Sequence, residues 1–347
     1  MRYVYLAKDN LGKFFDLLKE DHRVVGPVKK ENKFVFADVE DVSEMSLEYI
    51  PTILPPKKYF FPQKEKLGDF NMGDTKMSHT SIEMQPTVIF GAHTCDVDGL
   101  ECLDAVFHKE PEDPYYSKRS KMITVIGYEC MFPCDDCATC VTMDTHNPKA
   151  GYDIMITDAK DKYILHVNSA KGNELIQKAG EFLENDSEEK IKAYLGKLRE
   201  EKMKKFKVSL IANYNELKDI FDGSYNSKVW EDVGKRCVSC GNCTAVCPTC
   251  YCFDIFDTVE LDISGGDRTR IWDSCQLKPF AEVAGGENFR EERSSRQRHR
   301  LFRKFDYSVN KYNKFFCTGC GRCTRTCMAG ISLIDTVNDL TKEKNNV

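Results

Sequence analysis

Eight cysteines form two copies of one spacing, in which three cysteines are separated by two residues each and a fourth follows after three more. The first run contains Cys237, Cys240, Cys243 and Cys247, and the second contains Cys317, Cys320, Cys323 and Cys327. This spacing matches that of bacterial ferredoxins, whose cysteine thiolates hold [4Fe–4S] clusters. Gly241 and Gly321 occupy the same place in each run and permit backbone conformations that a Cβ would obstruct. The repeat therefore predicts two [4Fe–4S] clusters.

In two-cluster ferredoxins the fourth cysteine of each run ligates the other cluster, and this rule predicts the ligands here. The first cluster is predicted to use Cys237, Cys240, Cys243 and Cys327. The second cluster is predicted to use Cys317, Cys320, Cys323 and Cys247. The alternative is a pair of four-cysteine zinc sites. A zinc ribbon, however, needs only two C-x2-C pairs, so the third and fourth cysteines of each run would have no role. Met328 stands where the first run has Pro248, which weakens the local turn but not the ligand set.

A second group of cysteines precedes these runs. Its four thiols lie within eleven residues, at Cys130, Cys134, Cys137 and Cys140. They predict a third [4Fe–4S] cluster, with a zinc site and free structural cysteines as the alternatives. Cys95 follows an earlier predicted strand, and strand ends in an α/β sheet gather at one edge, so Cys95 is an alternative ligand. The sequence does not decide between Cys95 and Cys134. Two clusters correspond to about eight iron atoms per chain, and three to about twelve.

Three further cysteines, Cys250, Cys252 and Cys275, lie between the two runs. Three thiols are one short of a conventional ligand set. They are predicted either to pack beside the clusters, where cysteine behaves as a small hydrophobe, or to ligate a metal together with a residue from elsewhere.

A basic segment lies just before the second run. It contains Arg290, Arg293, Arg296, Arg298 and Arg300, followed by Arg303 and Lys304. A solvated helix face is the simplest interpretation. Reduced clusters and their thiolates are anionic, however, so nearby guanidinium groups would raise the reduction potential or pair with acidic partner surfaces. The arginines are therefore also candidates for tuning a cluster or binding a partner.

The elements that position these residues are predicted to form an α/β domain over 1–225 and an α+β, ferredoxin-like domain over 226–347, with a long insertion between the cysteine runs. Strands are predicted at 2–6, 33–37, 87–90, 122–126 and 163–167. Helices are predicted at 10–18, 96–107, 173–183, 215–221 and from 186 onward, and loops at 51–63 and 68–81. Residues 197–207 are predicted to be a solvated, charged helix end. The glycine and polar residues from Gly223 onward indicate a linker and place the boundary near Asn226.

The composition excludes several classes of protein. Its 41% hydrophobic and 30% charged residues are typical of a folded globular chain. No apolar run approaches the roughly 18 residues of a membrane span, and no secretory signal is evident, so the expected location is the cytoplasm. There the seventeen cysteines would stay reduced. The net charge of −5 gives no reason to expect nucleic acid as a partner, and no nucleotide-binding motif is present.

Several motifs together resemble one family of iron–sulfur proteins. They are Leu54-Pro55-Pro56-Lys57-Lys58, Phe60-Phe61-Pro62, Cys95-Asp96, Gly151-Tyr152-Asp153, Cys247-Pro248-Thr249-Cys250 and Trp272-Asp273-Ser274-Cys275. Over nearly its whole length the chain resembles the β subunits of soluble cytoplasmic sulfhydrogenases. That family is related to the A subunit of anaerobic sulfite reductase and to the equivalent subunit of flavin oxidoreductases that serve heterodisulfide reductase. The chain departs from the family at Cys137-Ala138-Thr139-Cys140. The family more closely resembles a C-x-C pair at this place, with one residue between the cysteines.

The resemblance implies a non-catalytic electron-relay subunit of a multi-subunit oxidoreductase. Its implied partners are a flavin subunit that oxidises NAD(P)H and a catalytic module of hydrogenase, sulfite reductase or heterodisulfide reductase type, with ferredoxin as a further candidate. The alternative hypothesis is a self-contained iron–sulfur oxidoreductase with a flavin or substrate site in the N-terminal domain. A zinc-stabilised interaction scaffold is the third hypothesis.

Overall fold

The computed structural model describes residues 2–345 and contains two β-sheets with α-helices packed around them. The strands are β1 (Arg2–Ala7), β2 (Arg23–Lys30), β3 (Lys33–Asp38), β4 (Lys64–Asn71), β5 (Ser78–His79), β6 (Thr87–His93), β7 (Ile123–Tyr128), β8 (Ile154–Asp158), β9 (Lys162–Val167), β10 (Leu183–Glu184), β11 (Phe253–Val259) and β12 (Gly265–Trp272). The helices are α1 (Leu11–Asp21), α2 (Lys57–Phe60), α3 (Thr94–Phe107), α4 (Pro114–Met122), α5 (Ala170–Lys178), α6 (Glu188–Met203), α7 (Leu217–Gly223), α8 (Val229–Arg236), α9 (Asn242–Ala245), α10 (Arg293–Phe305), α11 (Tyr307–Tyr312), α12 (Arg322–Arg325) and α13 (Leu333–Asn345).

The larger sheet has eight strands in the order β10-β1-β9-β8-β7-β6-β2-β3. Its central strands β8, β7, β6 and β2 run parallel, and the outer strands are antiparallel to their neighbours. Every residue of β6 and β7 is buried, as expected for parallel strands covered on both faces. Phe15 of α1 packs with Phe90 on one face, and Leu100 of α3 packs with Ile89 on the other. The predicted mixed α/β class is confirmed.

The carboxyl ends of β6 and β7 lie side by side in this sheet. His93, the last residue of β6, is paired with Tyr128, the last residue of β7. Cys95 lies in the first turn of α3, directly after β6, and Cys130 follows β7 by two residues. The register therefore brings both cysteines to one edge of the sheet, as the sequence predicted.

The smaller sheet joins distant parts of the chain. Its antiparallel strands lie in the order β11-β12-β4-β5, so β4 pairs with β12 from the insertion between the cysteine runs. The prediction of a loop over 68–81 is wrong in two places, because β4 extends to Asn71 and β5 occupies Ser78–His79. The local sequence could not reveal β4, since the strand that completes its hydrogen bonds lies far along the chain. The segments on either side of Asn226 share this sheet, and the domain boundary there stays a prediction.

The C-terminal segment has a helical core beside the cysteine runs. α8, α10 and α13 contribute Trp230, Phe302 and Val337 to one apolar cluster. Each run contains a four-residue helix, α9 or α12, that begins directly after Gly241 or Gly321. Both glycines have positive φ, 78° and 72°, in the left-handed region that favours glycine. The predicted role of the two glycines is confirmed.

Several predictions about the helices differ from the structure. The helix predicted at 173–183 is α5, which ends at Lys178 and is capped by Ser169. α6 is capped by the Ser187 side chain, one residue after the predicted start. The prediction of a solvated end at 197–207 is wrong at Lys202, which is fully buried. No helix within residues 2–345 combines the length and the apolar character that crossing a membrane requires.

Candidate metal centres

The cysteines of the second run surround a small cavity. Cys317, Cys320 and Cys323 line it together with Cys247 from the first run and Cys137 from the upstream group. Cys327, the fourth cysteine of the second run itself, does not line this cavity. The structure thus brings Cys247 to the second run.

The first run lies next to the end of the second. The Asn242 side chain donates a hydrogen bond from Nδ2 to the carbonyl oxygen of Thr326, 3.4 Å away. Asn242 directly precedes Cys243, and Thr326 directly precedes Cys327. This contact therefore brings Cys327 close to Cys243 of the first run.

Two of the predicted ligands of the first cluster, Cys237 and Cys327, accept hydrogen bonds at their sulfur atoms. Cys237 is buried, and its sulfur accepts a hydrogen bond of 3.0 Å from the Gln297 side chain. The sulfur of Cys327 accepts one of 3.3 Å from the backbone N–H of Ile331. Cys240 is exposed. Both hydrogen bonds therefore position the sulfur atoms that are predicted to bind iron.

The basic segment forms α10, and one face of this helix is buried. Arg296, Arg300 and Lys304 lie four residues apart on that face and are only 4–6% exposed. Burial opposes the charge of Arg300, but nearby thiolates, with Cys243 first, hold its pKa well above the ordinary value. The interpretation of this segment as a solvated helix face is therefore wrong for these three residues.

The other arginines of the segment have different surroundings. Arg293 donates a hydrogen bond of 3.0 Å to the carbonyl oxygen of Cys237. Arg298 is half-buried and lies over the ring of Tyr225, 3.9 Å from the ring centroid. Arg290 is partly buried at the start of the segment. Arg293 thus contacts a residue of the first cysteine run directly.

A second cavity lies at the carboxyl ends of β6 and β7. Cys95, Cys130, Cys134 and Cys140 all line it, whereas Cys137 lines the cavity of the second run. The sequence left the choice between Cys95 and Cys134 open, and the structure brings both to the same cavity. Burial raises the pKa of the Cys140 thiol to about 12. This thiol therefore needs a cation as a partner to ionise at neutral pH.

Backbone contacts with the second run explain why Cys137 is separated from its neighbours. The Thr139 N–H donates a hydrogen bond of 2.8 Å to the carbonyl oxygen of Gly319. A Cβ at Gly321 would lie 2.7 Å from the carbonyl oxygen of Cys137, so the two backbones are in direct contact. Cys320 lines both cavities. The upstream cysteines and the second run are thus neighbours.

A buried ion network positions the chain that leads into the upstream cysteines. Glu129, which is fully buried and directly precedes Cys130, accepts hydrogen bonds of 2.9 Å from Arg199 Nε and Lys202 Nζ. Lys202 also donates one of 2.6 Å to the carbonyl oxygen of His146. α6 supplies both cations, which is why its charged end is partly buried.

The third group of cysteines lies beside the other centres. The Cys250 side chain contacts that of Cys247, and the Cys252 side chain contacts that of Cys275. Cys240, Cys250 and Cys252 line one cavity of about 190 Å³. Cys240 of the first run thus shares a cavity with two cysteines of the third group.

A larger cavity of about 580 Å³ opens at the same edge of the eight-stranded sheet. Cys130 and Cys134 line it together with the side chains of Tyr49, His93 and Tyr128. The rings of Tyr49 and His93 are stacked, with centroids 3.7 Å apart. Carboxyl ends of parallel strands are the usual place for ligands in α/β proteins.

Gln297, Glu129 and Arg322 were not singled out from the sequence, although each lies next to the cysteines. Gln297 lies on the buried face of α10. The four-residue spacing of basic residues in this helix was the signal that could have revealed such a face. Glu129 and Arg322 gave no signal, because the charges that pair with them are distant in the sequence.

The donor sets suit iron–sulfur clusters. Within residues 2–345, no three His, Cys, Asp or Glu side chains converge closely enough to ligate a single ion. In the cavity of the second run, four thiols from both runs instead surround one volume. This arrangement fits a cluster that takes one thiolate on each of four irons.

Comparison with known proteins agrees with this chemistry. Residues 236–331 match the family described as 4Fe-4S dicluster domain. The fold and the cysteines therefore define an iron–sulfur protein that binds [4Fe–4S] clusters. Over 342 residues the chain is 36% identical to sulfhydrogenase 2 subunit beta of Pyrococcus furiosus, and the match covers 98% of both chains. The chain belongs to the family of sulfhydrogenase β subunits, which confirms the resemblance drawn from its motifs.

Proposed function

We propose that this chain is the electron-transfer subunit of a multi-subunit oxidoreductase. The observation that carries the proposal is the position of Cys320, which lines both the cavity of the second run and that of Cys95 and Cys130. Metal centres in these cavities would be neighbours, and clusters bound there would pass electrons between them. The relative's name, a sulfhydrogenase subunit, supports the same role.

The proposed ligands combine the cysteine spacing with the shared cavities. They are Cys237, Cys240, Cys243 and Cys327 for the first cluster, Cys317, Cys320, Cys323 and Cys247 for the second, and Cys95, Cys130, Cys134 and Cys140 for a third. The cavity that Cys247 shares with the second run supports the exchange of fourth cysteines. Cys137 would then have a structural role on the surface of the second run.

The basic face of α10 is proposed to tune the clusters. Arg296 and Arg300 are buried beside the cysteine runs, and a buried cation stabilises the more negative, reduced state of a cluster. Arg290, Arg293 and Arg298 lie nearer the surface and are the candidates for partner binding.

The partners follow from the family. We propose that a flavin subunit oxidising NAD(P)H and a catalytic module of hydrogenase, sulfite reductase or heterodisulfide reductase type exchange electrons with this chain in the cytoplasm, and that ferredoxin is a further candidate. Residues 1–225 would carry the third cluster, and residues 226–347 the other two.

Anaerobic isolation of the tagged chain from its native cells tests the relay. The chain should co-purify with a flavoprotein and a catalytic subunit, and NAD(P)H should reduce the flavin. Cys320→Ala should leave flavin reduction unchanged but abolish electron delivery to the catalytic subunit. Cys102→Ala, at a buried cysteine outside the proposed ligand sets, is the control. A Cys320→Ala complex that turns over at the wild-type rate would contradict the proposal.

The 580 Å³ cavity favours a second candidate function, a self-contained oxidoreductase. Its volume is that of a small-molecule site, and Tyr49 and Tyr128 offer aromatic surfaces for a planar ring. Cys130 and Cys134 on its wall would allow electron exchange with the proposed third cluster. The optical spectrum of the purified chain separates the two functions: flavin bands support this one, and a broad cluster shoulder alone supports the relay.

A further inference from the structure

We propose an additional iron–sulfur centre, held by the thiolates of Cys250, Cys252 and Cys275 with the Asp273 carboxylate as the fourth ligand. It goes beyond the proposed function, whose three clusters use none of these residues. Two independent observations carry it: the way the β11–β12 hairpin gathers the donors, and the burial of two lysines around them that have no carboxylate partner among the described residues.

The hairpin of β11 and β12 brings these donors together. Phe253, at the start of β11, is paired with Trp272, at the end of β12. The Asp273 N–H continues the ladder with a hydrogen bond of 3.0 Å to the carbonyl oxygen of Cys252. Cys252 directly precedes β11 and Cys275 follows β12 by three residues, so both lie at the same end of the hairpin, and their side chains are in contact.

A cavity of about 190 Å³ adjoins these donors. Cys250, Cys252 and Asp273 line it. Cys240, a proposed ligand of the first cluster, lines it as well, and Cys250 contacts Cys247, a proposed ligand of the second. A centre at this place would therefore lie next to both clusters of the dicluster domain.

Two buried lysines face this group without a carboxylate partner. Lys57 is 2% exposed, donates a hydrogen bond of 2.8 Å to the carbonyl oxygen of Cys250, and lies 4.1 Å from the centroid of the Trp272 ring. Lys304 is 5% exposed and donates to the hydroxyl of Thr249. In the part of the chain that the structure describes, neither ammonium group forms an ion pair.

Three other buried cations, Lys202, Arg270 and Arg322, do have carboxylate partners. Lys202 pairs with Glu129 and Arg322 with Asp96, and all four of these residues are almost completely buried. A buried charge without a counter-charge costs several kcal/mol, so such pairing is the rule. Within residues 2–345, Lys57 and Lys304 lack such a partner, as do Arg296 and Arg300 of α10, and all four lie beside the cysteines.

Thiolates supply the missing counter-charge. Neutral thiols or a disulfide at Cys250, Cys252 and Cys275 would leave Lys57 uncompensated, whereas a metal keeps coordinated thiols ionised. Cys247, a proposed ligand of the second cluster, would supply part of the counter-charge of both lysines. Lys57 lies at the carbonyl of Cys250 and on the cavity that Cys250 and Cys252 line, so the rest of its counter-charge is assigned to the additional centre.

Iron and sulfide analysis of Cys275→Ala in the full chain, purified anaerobically, tests the proposal. The variant should lose about four iron and about four sulfide per chain, while the electron paramagnetic resonance signals of the dicluster domain persist. Cys102→Ala, which also removes a buried thiol, is the matched control and should lose none. Unchanged iron in Cys275→Ala, or an equal loss in Cys102→Ala, would overturn the proposal and leave the proposed electron relay intact.

Two further variants test the roles of Asp273 and Lys57. Asp273→Cys offers a thiolate in place of the carboxylate and should keep the iron while changing the signal of one centre. Signals identical to wild type would exclude Asp273 as a ligand. Lys57→Met should keep the iron and shift the potential of one centre to a more negative value. If the thiols are neutral, Lys57→Met instead stabilises the fold and shifts no potential, which would overturn the charge argument.

Discussion

The guanidinium group of Arg322 forms a buried, two-pronged ion pair with the carboxylate of Asp96, in which Nη2 and Oδ2 are 2.8 Å apart. Arg322 lies between Cys320 and Cys323 of the second run, and Asp96 directly follows Cys95. The pair therefore ties the second run to the end of β6. It holds together the two groups of cysteines that the proposed relay places side by side.

Breaking this pair from one side should be strongly destabilising. Asp96→Ala leaves the Arg322 charge buried and unpaired, and we expect the free energy of unfolding to fall by about 3–5 kcal/mol. Anaerobic denaturant titration measures this change. The double variant Asp96→Leu, Arg322→Met should recover most of the loss, because it removes both charges. Additive effects of the two substitutions would show that the pair is not coupled. Asp339→Ala, at an exposed ion pair, should have little effect.

The exchange of fourth cysteines predicts which clusters are damaged by paired substitutions. Cys247→Ser combined with Cys317→Ser should damage only the second cluster, since both residues are its proposed ligands. Cys247→Ser combined with Cys237→Ser should damage both clusters, and Cys327→Ser alone should damage the first. Electron paramagnetic resonance of the reduced variants distinguishes these patterns. If the Cys247, Cys237 double variant spares one centre completely, each run holds its own cluster.

The upstream cavity predicts different effects for Cys95 and Cys137. Cys95→Ala should remove about four iron atoms per chain, because Cys95 shares the cavity of Cys130, Cys134 and Cys140. Cys137→Ala is the matched control and should keep the iron of this centre. Anaerobic iron and sulfide analysis of both variants decides the matter. The opposite result would assign Cys137 to the third cluster and Cys95 to packing.

The buried face of α10 predicts a shift in reduction potential. A unit charge about 10 Å from a cluster, at an effective dielectric constant of about 20, contributes about 1.7 kcal/mol, or roughly 70 mV for one electron. Arg300→Met should therefore lower the potential of at least one cluster by an amount on the order of 50–100 mV. Arg298→Met also removes one positive charge from α10, but at a residue that lies over the ring of Tyr225, and should shift the reduction potential much less. Redox titration followed by electron paramagnetic resonance measures both, and equal shifts would rule out a specific role for Arg300.

The sequence predicted β1, β3, β6, β7 and β9 and an α/β layering, because buried strands such as β6 and β7 carry continuous apolar runs. It did not predict β2 and β8, which complete the parallel centre of the sheet. It missed β4 and β5, whose polar, partly exposed residues resemble a loop until β12 pairs with them. It also misjudged Lys202 and Arg300, since charged residues are normally solvated and the groups that compensate them here lie on other elements.

By itself, the sequence determined that the chain holds [4Fe–4S] clusters, because the ligands of one run lie within a single tight turn and their spacing is a local property. Only the tertiary structure shows which distant residues lie beside them. The pairing of β6 with β7 brings Cys95 to Cys130, and the packing of Gly319 and Gly321 against the upstream loop separates Cys137 from its neighbours. Such contacts depend on strand register and on backbone packing between segments far apart in the chain, which no local spacing encodes.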